Sequence, residues 1–327
     1  MKNEIERIAF GPVPSRRLGR SLGINNIPPK ACTYSCLYCQ VGRTLKMETT
    51  RKEFYNPGKI VCDVEGKVNE AQRRGESIDY LTFVPDGEPT LDIQLGEEIR
   101  LLKELGLRIA VITNSSLIWR KDVRDELHEA DWVSLKIDAL SRDVWRKVNR
   151  PHGSMRLDQI LNGISEFAHV FKGDLSTETM FIQGTNDTAE EVERISDFIA
   201  KIKPKKSYLA VPTRPPAEEW VRPPSEFMLN MAFQVFRGKS IPAEFLIGYE
   251  GNAFAFTGNV EQDLLGITAV HPMREEAVRE FLEKADSGWD IIENLIDENK
   301  LVEVKYEDKV FYVRKLANMN KAKKQVF

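Results

Sequence analysis

Hydrophobic and polar positions alternate along residues 78–211 in a way that predicts strands separated by helices. Short apolar runs predict buried strands, whereas apolar residues three or four positions apart predict helices. The predicted strands are residues 80–84, 107–112, 132–137, 177–182 and 207–211, preceded by a sixth at 21–25. The predicted helices are residues 96–105, 117–129, 141–147, 157–170 and 190–202. This order indicates βαβ units around a parallel sheet, so we predict an α/β fold, an open or incomplete (β/α)6 barrel with functional loops at the strands' carboxyl ends.

A different pattern begins after residue 211. Prolines crowd residues 212–224 and indicate a stiff connection. Residues 274–284 and 289–298 predict two amphipathic helices, and residues 301–313 predict a hairpin. We therefore predict a barrel over residues 1–211, a proline-rich connection that covers the barrel over 212–267, and a winged-helix-like domain over 268–327. The last domain ends in a basic tail with Lys321, Lys323 and Lys324.

Composition narrows the class of protein. The 327 residues are 42% hydrophobic and 30% charged, which argues against a disordered chain and against a membrane protein. The first seven residues carry charges where a signal peptide would be apolar, so we expect a cytoplasmic protein without membrane contact. The net charge of −3 provides no global attraction for nucleic acid, although it is compatible with a local basic patch.

The cysteines carry the candidate chemistry. Cys32, Cys36 and Cys39 form a C-x3-C-x2-C run just after the first predicted strand, and Cys62 stands apart. In a reducing cytosol such a cluster indicates metal or redox chemistry more often than disulfides. Zinc would need a fourth ligand, for which Cys62 and His128 are the nearest candidates. An iron–sulfur cubane held by three thiolates would leave one iron open for a further ligand. Three unrelated buried cysteines are the remaining alternative.

The run C-x3-C-x-aromatic-C, with Tyr38 at the aromatic position, resembles the signature of the radical S-adenosylmethionine (SAM) superfamily. The resemblance implies that Cys32, Cys36 and Cys39 hold a [4Fe-4S] cluster whose open iron binds the amino and carboxylate groups of SAM. It also implies that Tyr38 lies near the adenine. One electron from a donor such as flavodoxin or ferredoxin would cleave SAM to a 5′-deoxyadenosyl radical, which abstracts hydrogen from a substrate.

Segments after the next two strands resemble the same superfamily. Residues 86–89 are similar to its Gly-Gly-Glu segment, so Gly87 would let the backbone approach a ligand, and Glu88 or adjacent carbonyls would accept from an ammonium. Residues 113–115 are similar to Thr-Asn-Gly, which makes Asn114 a candidate cofactor contact. The alternatives are a plain turn at residues 86–89 and an ordinary loop or N-cap at residues 113–115.

Polar side chains also follow one face of the fourth strand. Ser134, Lys136 and Asp138 alternate with apolar residues, which predicts a wet cavity inside the barrel. Lys136 would meet the methionyl carboxylate, and Asp138 or Ser134 the ribose hydroxyls; an internal ion pair is the alternative. Residues 180–187 resemble the superfamily segment whose backbone, here near Gly184, lines the adenine pocket.

Substrate contacts have weaker signals. Arg16, Arg17 and Arg20 precede the cysteines and could bind an anionic substrate, or serve only solubility. Cys62 could relay a hydrogen atom or be inert, and His152 could contact substrate or make a local hydrogen bond. Residues 11–19 extend the resemblance toward iron–sulfur oxidoreductases related to wyosine-base-forming tRNA enzymes. Those enzymes use three further cysteines for a second cluster, which this chain lacks, so the substrate, a tRNA base or a peptide, stays open. A zinc-stabilised nucleic-acid-binding or regulatory protein is the alternative function.

Overall fold

The apolar strands form one curved sheet in a computed structural model of the protein, which describes residues 8–247, 254, 256–270, 272–306 and 308–315. The sheet has eight strands in sequence order, and each strand from β2 to β8 is parallel to the next. The strands are β1 (Ala9–Ser15), β2 (Gly19–Ile24), β3 (Tyr80–Phe83), β4 (Arg108–Thr113), β5 (Trp132–Lys136), β6 (Asp174–Met180), β7 (Lys206–Ala210) and β8 (Ala243–Leu246). The six predicted strands and the predicted incomplete barrel are confirmed.

Two strands of this sheet were not predicted. β1 pairs antiparallel with β2 and lies at the edge of the sheet, which is where a strand tolerates prolines such as Pro12 and Pro14. β8 has only four residues and pairs with β7. The sheet therefore extends past residue 211, into the segment predicted to be a connection.

Helices cover the outer face of the sheet and bury their apolar sides against it. They are α1 (Pro57–Arg73), α2 (Leu95–Lys103), α3 (Lys121–Leu127), α4 (Arg142–Asn149), α5 (Leu157–Val170), α6 (Ala189–Ile202) and α7 (Glu226–Gly238). The five predicted barrel helices are present, with α3 shorter than predicted. The prediction missed α7, which lies in the segment predicted to be a connection. It also missed α1, although Asn56 caps that helix, Pro57 starts it and Ile60, Val64 and Val68 repeat at helical spacing.

The C-terminal part contains a second, smaller sheet. The strands of this sheet are β9 (Met273–Arg274), β10 (Leu301–Tyr306) and β11 (Lys309–Arg314), in the order β10-β11-β9. The helices of the C-terminal part are α8 (Val260–Val270), α9 (Glu275–Lys284) and α10 (Asp290–Asp297). The predicted helix pair and hairpin are thus present, while the winged-helix assignment and the domain boundaries stay predictions. Lys67 of α1 pairs with Asp263 of α8 at 2.9 Å, which ties this part to the barrel. The predicted basic tail lies outside the described residues.

No helix in the described part of the chain is long and apolar enough to cross a lipid bilayer.

A buried acid pair lies behind the sheet and couples stability to pH. Glu98 of α2 is fully buried beside Asp92, and Asn26 Nδ2 donates to Glu98 Oε2 at 3.3 Å. Burial, reinforced by the Asp92 carboxylate, raises the pKa of Glu98 to about 9. The protonated form is therefore the one that the folded state favours, and its stabilisation is lost as pH rises from about 4.5, the ordinary glutamate value, toward about 9.

We expect Glu98→Gln to remove this pH dependence, because glutamine keeps a neutral hydrogen-bonding side chain at the site. Relative to wild type, the variant should gain free energy of unfolding between pH 5 and 9, at most about 1.4 kcal/mol per pH unit. Urea unfolding at both pH values measures the gain. Glu97→Gln, on the exposed side of the same helix, is the control and should follow wild type. Parallel curves of unfolding free energy against pH for Glu98→Gln and wild type would contradict the raised pKa of Glu98.

Candidate active site

The cysteine run lies in the long loop between β2 and α1, at the carboxyl ends of the parallel strands. The C-terminal end of α4 holds this loop in place: Leu37 N–H donates to Val148 O at 2.9 Å, and Ser35 N–H donates to Asn149 O at 3.1 Å. His152 N–H donates to Thr33 O at 3.0 Å. The three thiols are half-buried, and those of Cys32 and Cys36 pack against the main core.

Each of the three sulfurs faces one nitrogen donor from a different part of the chain. Asn114 Nδ2 lies 3.5 Å from Cys32 Sγ, and Asn149 Nδ2 lies 3.5 Å from Cys36 Sγ. Lys30 Nζ lies 3.6 Å from Cys39 Sγ. N–H donors of this kind stabilise negative charge on thiolate ligands and tune the reduction potential of iron–sulfur clusters. The surroundings thus suit a metal-bound thiolate.

The free thiols of Cys32 and Cys36 are protonated in this setting. Desolvation raises the pKa of Cys32 to about 12 and raises the pKa of Cys36 as well, to which the Asp138 carboxylate contributes. Metal binding must therefore release the thiol protons.

The donor set fits a cluster better than a single ion. Among the described residues, no three His, Cys, Asp or Glu side chains converge closely enough to hold one metal ion. The two residues considered as a fourth zinc ligand lie elsewhere: Cys62 is exposed on α1, and His128 packs on Phe167 at a centroid distance of 5.0 Å. In a [4Fe-4S] cluster each thiolate binds its own iron, so three half-buried thiols spread along one loop suit that group.

Gly87 and Glu88 pack against and bond to other loops of the site. A Cβ at Gly87 would lie 2.0 Å from Ala31 O, so the close approach that needs glycine here is to the cysteine loop's own backbone. Glu88 Oε1 accepts from the Thr90 and Thr113 hydroxyls, both at 2.6 Å, and Oε2 accepts from Asn114 N–H at 2.7 Å. The Glu88 carboxylate is therefore buried and occupied by donors of the chain itself, which favours the adjacent carbonyls, the other predicted acceptors, for a ligand ammonium.

Asn114, a predicted cofactor contact, lies beside Cys32. Its Nδ2 reaches Thr33 Oγ1 at 3.0 Å as well as Cys32, and its Oδ1 accepts from Ser116 N–H at 2.9 Å. Ser115 has a φ of 65°, which lies in the left-handed region that favours glycine. Serine therefore occupies this position of the turn with backbone strain. The Asn114 side chain is thus fixed by the turn that carries it.

The predicted polar face of β5 is present and continues onto β6. Lys136 pairs with Glu178 across the two strands, with Nζ–Oε1 at 2.6 Å, which is an internal ion pair of the kind considered as the alternative. Asp138 Oδ1 accepts from Met180 N–H at 2.9 Å, and its Oδ2 accepts from Asn149 Nδ2 at 2.8 Å. Tyr38 O–H also donates to Oδ2, so the Asp138 carboxylate positions Tyr38 and Asn149, and the ribose contact predicted for Asp138 would have to compete with these three donors. Ser134 is buried on the same face.

Burial and the neighbouring charges shift the pKa values of Lys136 and Glu178 in opposite directions. Burial alone would raise the pKa of Glu178, but Lys136 and Arg17 outweigh it and hold that pKa at about 2. Burial alone would lower the pKa of Lys136, but the Glu178 and Asp138 carboxylates raise it. Both side chains are therefore charged at neutral pH.

Gly184 and the three predicted arginines lie in different places around the barrel. Gly184 is an exposed turn residue with a φ of 62°, and the neighbouring Asn186 fixes the strand end by donating to Asp138 O at 2.8 Å. Arg17 points into the barrel and pairs with Glu178. Arg16 instead donates to the backbone of β8, and Arg20 pairs with Glu76 outside the barrel.

Cys62 lies on α1, and His152 lies in the loop after α4. Cys62 is exposed on α1, so neither hydrogen relay from the cysteine loop nor inert core packing matches its position. His152 Nδ1 lies 2.8 Å from Ser154 Oγ, which is the local hydrogen bond considered as the alternative.

Several positioning residues have no signal in the sequence. Lys30 and Asn149 face sulfur atoms, and the proline-rich segment supplies Glu218, which is buried over the cysteine loop. Glu218 forms a two-point contact with Arg43, at 2.7 and 2.6 Å, and also pairs with Arg150. Only the fold brings these residues together, and the covering of the barrel by this segment stays a prediction.

A half-barrel of parallel strands with three cysteines at its carboxyl edge defines an iron–sulfur enzyme of the radical SAM type. The family model described as the radical SAM superfamily matches residues 26–199. The chain belongs to this superfamily and, within it, to the UPF0026 proteins.

Relatives and solved structures agree with this assignment. UPF0026 protein MJ1312 of Methanocaldococcus jannaschii is 46% identical over 317 residues, which is 96% of this chain and 98% of that protein. A radical SAM methyltransferase from Sphaerobacter thermophilus has the same fold, with a TM-score of 0.51, 16% identity and coverage of 69% of this chain and 66% of that one. SuiB from Streptococcus suis, solved with S-adenosylmethionine, gives 0.52 at 14% identity, covering 69% and 51%. The protein is therefore an enzyme whose cofactors are a [4Fe-4S] cluster and SAM.

Proposed function

We propose that Cys32, Cys36 and Cys39 hold the cluster and that SAM lies between the cysteine loop and the carboxyl ends of β3 to β6. The observation that carries this proposal is the set of three nitrogen donors, one to each sulfur. When bound, the reduced cluster supplies the electron for SAM cleavage, which leads to hydrogen abstraction from the substrate.

The protein's own residues orient the cofactors. Backbone carbonyls next to Gly87 are the acceptors for the SAM ammonium, since the Glu88 side chain is saturated from within. Lys136 is the cation for the methionyl carboxylate. Its Nζ lies 4.8 Å from the centre of the Tyr38 ring, which places it against the cysteine loop. Tyr38, the backbone near Gly184 and Ser134 are the proposed neighbours of the adenosine.

Anaerobic reconstitution tests this function. We expect about four irons and four sulfides per chain, and 5′-deoxyadenosine formation when a strong reductant and SAM are added. The electron donor in the cell would be a flavodoxin or ferredoxin. Protein that loads zinc but no iron, or never forms 5′-deoxyadenosine, would contradict the proposal and favour the zinc-stabilised alternative.

The substrate class, a tRNA base or a peptide, is tested separately. Mass spectrometry of extracts from cells with and without the protein should show a mass change in tRNA nucleosides for the first and in a peptide for the second. A change in neither would indicate a metabolite.

A further inference from the structure

We propose that the ammonium group of Lys30 makes the bound cluster easier to reduce, so that Lys30 is a positioning residue that acts through Cys39. This role rests on the proposed function, because it requires a cluster on the three cysteines, and it adds a means by which the chain favours electron entry. Lys30 lies two residues before Cys32, and its side chain reaches the other end of the cysteine run.

Two contacts fix the position of the Lys30 ammonium. Its Nζ donates to Gly42 O at 2.5 Å and lies 3.6 Å from Cys39 Sγ. Gly42 N–H donates to Cys39 O at 3.0 Å, so both contacts belong to one turn of the loop. The other nitrogens that face the sulfurs, Asn114 Nδ2 and Asn149 Nδ2, belong to neutral amides. Lys30 is therefore the charged member of the three donors.

The charge of Lys30 also acts on a second ligand. It acts to lower the pKa of Cys32, although burial outweighs it there. Two carboxylates act in the opposite sense, because Glu88 raises the pKa of Cys32 and Asp138 raises that of Cys36. Lys30 thus offsets part of the negative charge that these carboxylates bring to the cysteine loop.

The backbone at Lys30 indicates that its side chain has a function. Its φ of 66° lies in the left-handed region, where glycine is free of strain and a residue with a Cβ is not. Lys30 N–H donates to Asp86 O at 2.8 Å, which holds this conformation against the end of β3. Residues in such conformations occur preferentially at functional sites, where the surrounding structure imposes them. A lysine at this position therefore agrees with a role for its ammonium at the cluster.

The sign of the effect follows from electrostatics. Reduction adds one negative charge to a cluster on these cysteines, and a cation close to the sulfurs stabilises that added charge. Lys30 is half-buried, so water screens its charge less than that of an exposed lysine. Asp86 lies near enough for Lys30 to lower its pKa. Whatever charge that carboxyl carries, exchanging Lys30 for a neutral residue removes one positive charge, so the cluster becomes harder to reduce.

Redox titration of the reconstituted protein without SAM tests the proposal. Wild type, Lys30→Gln and Lys30→Met are held anaerobically at the midpoint potential of wild type, and electron paramagnetic resonance measures the reduced cluster. We expect the ratio of reduced to oxidised cluster to fall about tenfold in Lys30→Gln, which is a shift of about 59 mV for a one-electron couple. Lys30→Met also lacks the N–H donor and should fall at least as far. Lys30→Arg keeps the positive charge and should lie closer to wild type than to either neutral variant.

Lys46→Gln is the matched control, since Lys46 is exposed on the same loop, and it should titrate as wild type does. Equal ratios in wild type and both neutral variants would overturn the proposal. So would a fall in Lys30→Arg as large as in Lys30→Gln, because the charge would then not be the cause. Iron and sulfide analysis accompanies each titration, and loss of the cluster from both neutral variants would overturn the proposal in favour of a role in folding the loop. Wild type without a cluster would instead contradict the proposed function, so the two failures are distinguishable.

Discussion

Replacing Cys36 with alanine is expected to abolish both the iron–sulfur cluster and SAM cleavage. Cys36 packs against the core and faces Asn149 Nδ2, and its place in the loop is fixed by hydrogen bonds to the end of α4. Two remaining thiolates cannot hold three irons of a cubane, and the fourth cysteine, Cys62, is exposed on α1. Iron and sulfide analysis should fall to background, as should 5′-deoxyadenosine formed under a strong reductant.

Cys62→Ala is the control for this experiment. It removes one thiol from the same chain without touching the cysteine loop, so iron content and SAM cleavage should match wild type. Full iron loading in Cys36→Ala would contradict the ligand assignment. Equal loss of iron in Cys62→Ala would show that Cys62 takes part in the cluster.

The barrel was predictable because buried parallel strands are nearly continuous apolar runs. Residues 107–112 show this, and β4 lies within one residue of those limits. β1 was not predicted because prolines are unfavourable within a strand. Its position at the edge of the sheet, where prolines are tolerated, is visible only in the structure. β8 is short and follows a proline-rich segment, so its place in the sheet depends on pairing with β7.

The site was predictable in its residue types but not in its side-chain directions. The spacing of the three cysteines identified the chemistry, and the alternation at Lys136 predicted a polar interior. Sequence could not show that Lys136 pairs with Glu178, because that contact depends on the register of β5 and β6. Nor could it show that Asn149, at the end of an amphipathic helix, faces Cys36. Such contacts join segments more than 40 residues apart, where local pattern carries no information.

The second large effect is expected at Glu88, where one buried carboxylate joins two loops of the site. Thr90 and Thr113 donate to one oxygen, and Asn114 N–H donates to the other. Burial raises the pKa of Glu88 above its ordinary value, and these donors offset part of that rise. Alanine would leave several buried donors without an acceptor, and hydrogen bonds to charged groups contribute about 1.5–3 kcal/mol each.

We therefore expect Glu88→Ala to lower the free energy of unfolding by about 4 kcal/mol, measured by urea denaturation of the metal-free protein. Glu88→Gln should lose about half as much, because its Oε1 still accepts from both threonines while its amide opposes Asn114 N–H. Glu97→Ala, at an exposed position of α2, is the control and should stay close to wild type. Because the same carboxylate fixes the Asn114 turn beside Cys32, iron loading should fall in the same order, Ala below Gln below wild type. Unfolding of Glu88→Ala within about 1 kcal/mol of wild type would contradict this account, since a carboxylate free to leave its donors could bind the SAM ammonium after all.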